Sequence, residues 1–468
     1  MLFNSPTFWL FFAGYVTLHG LCPGRWRLWL LIVGSLIFYG YWNWLYTGLP
    51  LALALCAAGL SAWILRAPPE RRRPRLMAGV VVLLLPLAFF KYTNFLWLQV
   101  VGPLATLLDF QVGGRVIDLG LPLGISFVTF TLIAYLVDTA NGTFPRPPRS
   151  KWLVGYVLFF PHLIAGPILR PHELIPQLQH SMPLRRRNVL PGLALFASGM
   201  VKKMVFADQL APAVNAIYAH PSGHSLPEFL LAVYGFSVQI YCDFSGYTDM
   251  ALGTAQILGV RLPNNFFRPY LARSITLFWR HWHRTLSYWL RDYVYIPLGG
   301  NRGGQVMTAR NIVITMVLGG LWHGANWTFV IWGLLHGTAV ALNHVGDRTL
   351  PRGWRLPRWL ATLLTFHFVT LLWVFFRAPN LSVAGQVIRE SLGGASVGDL
   401  GAFLSAHSFE CCLITLFFLA HPWDESRRLR VIARKGPKTV VACALAAAIA
   451  LSVAVGVGSS AQFIYFEF

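Results

Sequence analysis

Charge is scarce in this sequence. Of its 468 residues only 12% are Asp, Glu, Lys or Arg, about half the share of a soluble domain. With 56% hydrophobic residues and a mean hydropathy of +0.55, a water-soluble globule would expose large apolar patches. A soluble fold is therefore excluded in favour of an all-α polytopic membrane protein. Acid is scarcer still, 17 Asp and Glu against 38 Lys and Arg. The bases stand in short clusters between apolar runs, which is how cytoplasmic loops look, and no nucleic acid is expected as a partner. The six cysteines (Cys22, Cys56, Cys242, Cys411, Cys412, Cys443) lie in or beside apolar stretches without ligand spacing, so neither a disulfide nor a metal is expected. The N-terminus, MLFNSPTFWLFFAGYV, lacks the charged region and small-residue cleavage site of a signal peptide and reads as a first span. No internal repeat is visible, and residues 1–468 read as a single membrane-embedded domain.

What is abundant is long apolar runs. A spanning helix needs about 20 mostly apolar residues. Runs of that kind cover 5–22, 28–47, 50–65, 76–93, 120–138, 226–242, 308–322, 326–345, 359–376, 409–422 and 439–457. The short stretch 94–110 reads as interfacial. Residues 152–168, 188–215 and 245–260 are apolar but broken by Pro, Gly, Lys or Asp, as in re-entrant or buried segments. Roughly ten to twelve spans are expected on the 20-residue rule. Eighteen Trp and 34 Phe fit aromatic belts at the membrane surfaces. Arg25 and Arg27, the run at 66–75, the run at 146–151, Arg185 to Arg187 and the run at 426–438 mark cytoplasmic loops. Both termini then lie outside, including a C-terminal tail, 458–468, in which four of the last six residues are aromatic.

Polar residues inside apolar runs are costly and signal function. His323 lies in LGGLWHGANW with Gly319, Gly320 and Gly324 around it, and imidazole suits proton transfer near neutral pH. The small neighbours would let a substrate approach, while a His hydrogen-bonded to a neighbouring helix explains the same residue. His336, at the far end of the next span, reads as structural. In FWRHWHRTLSYWLRDYVYIPLGGNRGG (278–304), His281 and His283 are two residues apart. On a helix such residues do not share a face, which argues against chelation. Arg280, Arg284 and Arg291 suit the phosphates of an anionic cofactor, while an interfacial amphipathic helix explains the same stretch. Asp243 and Asp249 are expected to pair with the arginines of this basic segment, a structural role, with orientation of a catalytic His as the alternative. FFPHLIAGPILRP, whose apolar part is broken by Pro161, Gly166 and Pro167, reads as a re-entrant element lining a cavity.

Together, LPLGISFVTFTLIAYLVD, FFPHLIAGPILRP, CDFSGYTDMALG, the stretch 262–304, LGGLWHGANW and the tail FIYFEF resemble the membrane-bound O-acyltransferase family. Within it they are similar to the bacterial branch that acetylates exported polysaccharides. The resemblance is dense over about 121–337, which it implies to be the catalytic core of a helical bundle with a central tunnel. It places the family's membrane His on His323 and its second functional His on His283. The sequence departs from the family with His281 where Arg is common, His162 where Gln is common and Glu467 where Gln is common. The resemblance implies an acetyl-CoA donor from the cytoplasm, meeting the protein near Arg280, Arg284 and Arg291. It also implies a bacterial inner membrane, an exported polysaccharide acceptor and extracytoplasmic SGNH, or esterase-like, acetyltransferase partners, because no Ser nucleophile motif is present here. His323 is expected as general base on an acceptor hydroxyl, or as the group that holds the reacting atoms in place, and His283 as a hydrogen-bonding group on the thioester or the acceptor. Tyr465 is the candidate relay across the membrane, with tail anchoring in the aromatic belt as the alternative. Acetylation of peptidoglycan or another envelope polymer, an acyl or polymer transporter and a non-catalytic assembly subunit are the competing functions.

Overall fold

A computed structural model of the chain describes residues 1–108, 120–144, 147–349, 356–456 and 463–464. Among the described residues every regular element is helical. Two compact units form, residues 1–189 with 254–263, and 190–253 with 264–468.

In the first unit, α1 (Pro6–Leu21) starts where Ser5 caps the Phe8 N–H, with proline in the first turn. It is followed by α2 (Arg27–Gly40), α3 (Gly48–Leu65) and α4 (Pro69–Leu96). The stretch expected to be interfacial continues α4. The helix passes through a π-helical turn at Trp97–Val101 into α5 (Gly102–Leu107), so 69–107 is one apolar helical stretch. Next, α6 (Ile125–Ala140) is almost wholly buried. The Pro-broken run becomes two short helices, α7 (Ser150–Leu158) and α8 (Phe160–Leu163), before α9 (Pro171–Gln179). Every residue from Leu153 to Leu169 is buried, which is where irregular backbone at membrane depth survives. His162 is inside this run, its Nε2 2.8 Å from the Tyr156 carbonyl.

The second unit is built on α10 (Arg186–Met200), which runs through a π-helical turn at Val201–Ala207 into α11 (Asp208–Ala219), and on the 32-residue α12 (Leu226–Ile257). A Cβ on Gly199 would stand 2.4 Å from the Gly246 carbonyl, and one on Gly253 would stand 2.4 Å from that of Gly192. Two small-residue faces therefore let α10 and α12 meet backbone to backbone, as in membrane helix pairs. After α12 come the short α13 (Ile275–His281) and α14 (Arg284–Leu290), then α15 (Gly304–His323), α16 (Trp327–Thr349), α17 (Arg358–Arg377), α18 (Leu381–Arg389), α19 (Leu400–Ala420), α20 (Ser426–Lys435) and α21 (Lys438–Gly456). Across the described residues seven helices are long and apolar enough to span a membrane, one of them the whole 186–219 stretch, and the apolar helices 27–40 and 125–140 are shorter. The protein is an all-α multi-pass membrane protein.

Candidate active site

The α10–α12 crossing brings Lys202 and Lys203, in the π-helical turn, against the acids of α12. Lys202 bridges Asp249 at 2.8 Å and Asp424 at 2.7 Å, and Lys203 bridges Asp208 and Asp243, both at 2.7 Å. The expected arginine partners are thus replaced by a lysine pair, because the glycine contact puts the lysines nearest. Phe244, beside Asp243, turns its ring to His283, 4.7 Å away.

His283 is held by a loop. Arg284 N–H donates to the Asn265 carbonyl at 2.9 Å, and Phe267 N–H donates to the His281 carbonyl at 3.0 Å. Helix α13 consequently stops at His281. Trp282 is extended and His283 takes a left-handed backbone, φ 39° and ψ 54°, before α14. The two histidines do not share one helix, and their surroundings differ. His281 is half-buried against Phe267 at 5.1 Å, while His283 is fully buried. Trp282 pins the turn among Phe266, Phe278 and Trp373, with ring centroids 4.9–5.7 Å apart.

The Asn265 side chain decides the His283 tautomer. Its Oδ1 accepts from the Thr285 N–H at 3.1 Å and from the Thr285 hydroxyl at 3.0 Å. A backbone N–H only donates, so the oxygen of this amide faces it. The same oxygen is 3.3 Å from His283 Nδ1. A neutral His283 therefore carries its proton on Nδ1 and a lone pair on Nε2. That Nε2 is buried and has no hydrogen-bond partner among the described residues.

His323 is held by packing. A Cβ on Gly320 would stand 2.2 Å from the Phe329 carbonyl, and one on Gly333 would stand 2.5 Å from that of Met316. These glycines press α15 against α16 and leave His323 at the last position of α15, before an extended Gly324. Gly324 is covered by the Phe329 ring. Gly320 and Gly324 therefore serve helix contact, and the room expected there for a substrate is filled by Phe329. The His323 ring lies among Trp322, Phe376 and Trp332 at 4.8, 5.0 and 5.3 Å. Trp322 also touches His283, at 6.1 Å. Both imidazoles thus lie against one indole.

Residues 36–381 match the membrane-bound O-acyltransferase family. The chain belongs to this family. It is 40% identical to the probable alginate O-acetylase AlgI of Azotobacter vinelandii, over 86% of this chain and 80% of the relative. It is 36% identical to the peptidoglycan O-acetyltransferase of Helicobacter pylori, over 84% and 80%, and 29% identical to the teichoic acid D-alanyltransferase of Bacillus subtilis, over 53% and 66%.

An O-acyltransferase needs a place for its acyl donor. Arg280 and Arg291 are exposed and line one cavity of about 350 Å³ with Trp279, Tyr288 and Tyr295. Guanidinium groups and aromatic faces fit a phosphorylated, nucleotide-bearing donor. Arg284 does not line this cavity; its guanidinium lies over Tyr288 at 5.9 Å. Trp279 leads inward, donating to His336 Nδ1 at 3.3 Å and meeting Trp332 at 5.6 Å, and Trp332 in turn touches His323. His336 is fully buried in this aromatic stack. Among the described residues no group of three or more His, Cys, Asp or Glu is gathered as a metal ligand set.

Tyr465 and Glu467 lie outside the described residues, as does most of the tail. Phe463 and Ile464 are described and buried, so the Phe463 ring is no belt anchor. It stacks on Tyr247 at 4.6 Å. Sequence reasoning missed Asn265 and Lys203. A trace of each was present: a doubled Asn before a Phe pair, and a lysine pair inside an apolar run.

Proposed function

We propose that the protein moves acetyl from cytoplasmic acetyl-CoA across the bacterial inner membrane, so that an exported polysaccharide, cellulose or alginate, becomes O-acetylated. The observation that carries this is the buried Nε2 of His283, which has no hydrogen-bond partner among the described residues, on a ring that meets the same Trp322 indole as His323. Family membership and the alginate-acetylating relatives support the acyl chemistry and the class of acceptor.

The tautomer divides the roles. Nε2 of a neutral His283 accepts, so it takes the proton of the attacking hydroxyl as general base. His323 holds the thioester carbonyl against the indole of Trp322. The hydroxyl oxygen bonds to the carbonyl carbon, the C–S bond breaks, and the proton held on Nε2 passes to the sulfur to release the free thiol. A ring-lined site keeps water out and limits hydrolysis. Arg280 and Arg291 hold the donor's phosphates at the cavity mouth.

The polymer is outside and bulky, so the first hydroxyl is proposed to be Tyr465. Its acetyl ester is activated, because phenolate, with a pKa of about 10, leaves more readily than a sugar alkoxide. A serine hydroxyl of an extracytoplasmic SGNH partner then takes the acetyl group, returns a proton to the phenol, and passes acetyl to the polymer. His323→Ala should lower polymer acetylation strongly, though by less than loss of the His283 base, while protein level and membrane insertion stay normal. Full acetylation in that variant would sink the proposal and leave a transporter or scaffold, either of which tolerates the change. Peptidoglycan is the second acceptor, favoured by the Helicobacter pylori relative. Ester analysis of purified exopolysaccharide and of cell wall from a deletion strain separates the two.

A further inference from the structure

A cluster buried in the second unit has more acid than base. Lys203, with 4% of its side chain exposed, faces Asp208 at 3% and Asp243 at 1%, and each N–O distance is 2.7 Å. One ammonium cannot balance two buried carboxylates, and a carboxylate left short of donors at this depth is costly. Among the described residues, a further donor comes from the far end of the chain. Ile464 N–H donates to Asp243 Oδ2 at 2.7 Å, on the carboxylate whose Oδ1 holds Lys203. The residue before it, Phe463, is fully buried, stacks on Tyr247 at 4.6 Å and an interplanar angle of 28°, and touches Phe244 at 6.2 Å. Phe244 is the ring that walls His283 at 4.7 Å.

We infer that Asp243, Lys203 and Tyr247 form a binding site for an aromatic peptide segment, the chain's own residues 463–464, which docks the C-terminal arm beside the His283 wall. The carboxylate reads the backbone and the phenol ring reads Phe463. A main-chain hydrogen bond combined with a side-chain pocket is a recurring mode of peptide recognition. The next residue after Ile464 is Tyr465, one Cα step of about 3.8 Å along the chain. This rests on the proposed relay through Tyr465 and adds to it the means of positioning. Asp243 is thereby a positioning residue.

The test is amide exchange of the full-length protein in lipid nanodiscs, followed by mass spectrometry of the C-terminal peptide. In the wild type the Ile464 amide should exchange at least tenfold more slowly than an unstructured amide. Phe463→Ala should remove that protection, leave exchange in α12 and α15 unchanged, and lower polymer acetylation in parallel. Asp243→Ala should remove it as well, and Asp243→Asn, which keeps a carbonyl acceptor, should recover part of it. Free exchange in the wild type, or full protection in Phe463→Ala, would overturn the docking site. Because Phe463 packs outside the ion cluster, its variant decides the matter even where Asp243→Ala fails to fold. Tyr465→Phe separates this proposal from the relay. It should leave the Ile464 amide protected, and normal acetylation in that variant would end the relay while the docking site stands on its exchange data.

Discussion

His283 and His323 touch the same indole, yet the chain holds them by different means. His283 sits in a loop, in a left-handed conformation, tied by the main chain and side chain of Asn265. His323 ends a helix and is fixed by rings around it and by glycines behind it. The Asn265 hydrogen bond sets which nitrogen of His283 carries a proton, and ring packing sets where the His323 imidazole lies. The loop histidine therefore has a defined proton-accepting atom, and the helix histidine has a defined place. The largest effect should come from removing the accepting atom. His283→Asn tolerates the left-handed backbone, so the loop survives and the base does not. Acyl-transfer kcat should fall by a factor of about 10²–10⁴ with the membrane level of protein unchanged. A smaller loss than in His323→Ala would reverse the assignment of roles.

The comparison sharpens one shell further out. Asn265→Ala leaves the His283 ring present but frees its tautomer. The expected loss is on the order of tenfold to a hundredfold in kcat, as for other partners that orient a functional imidazole, with the donor KM little changed. An equal rise in KM would mean that Asn265 shapes the binding site instead. On the packed side the matching change is Gly320→Ala. Its methyl group would meet the Phe329 carbonyl at 2.2 Å, so α15 and α16 must separate. The cost should be about 1–3 kcal/mol, read as a lower thermal midpoint, with activity per folded molecule falling less than in Asn265→Ala.

The sequence made the packed side easier to foresee than the tied side. A His among glycines and tryptophans in an apolar run announces itself by its setting, and His323 is found in such a setting. The role of its glycines was misjudged, because a sequence does not show that Phe329 would fill the space. Asn265 was hidden inside a quoted stretch, since its contacts run to residues 18 and 20 places away. The lysine pair had the same defect: it marked a break in an apolar run, and only the α10–α12 crossing reveals its acidic partners. Apolar runs gave most of the helices, but the continuation of α4 through 97–107 depends on a π-helical turn with no composition signature.

The smallest expected effects lie at the cavity mouth, where solvent weakens every charge. Arg280→Ala and Arg291→Ala should each raise the donor KM about threefold, the scale of an exposed ion pair, with kcat unchanged. Arg284→Ala should do less, because Arg284 does not line the cavity. An equal rise for Arg284→Ala would remove the cavity as the donor's entry. Asp292 supplies the sign test. Its carboxylate is 2.6 Å from the Arg291 guanidinium and competes with a phosphate for it. Asp292→Asn should therefore lower the donor KM, by about twofold on the same scale, and more so at low salt, where surface charges are less screened. A raised KM in Asp292→Asn would show instead that Asp292 is needed to aim Arg291, so that the cavity works by geometry and not by charge.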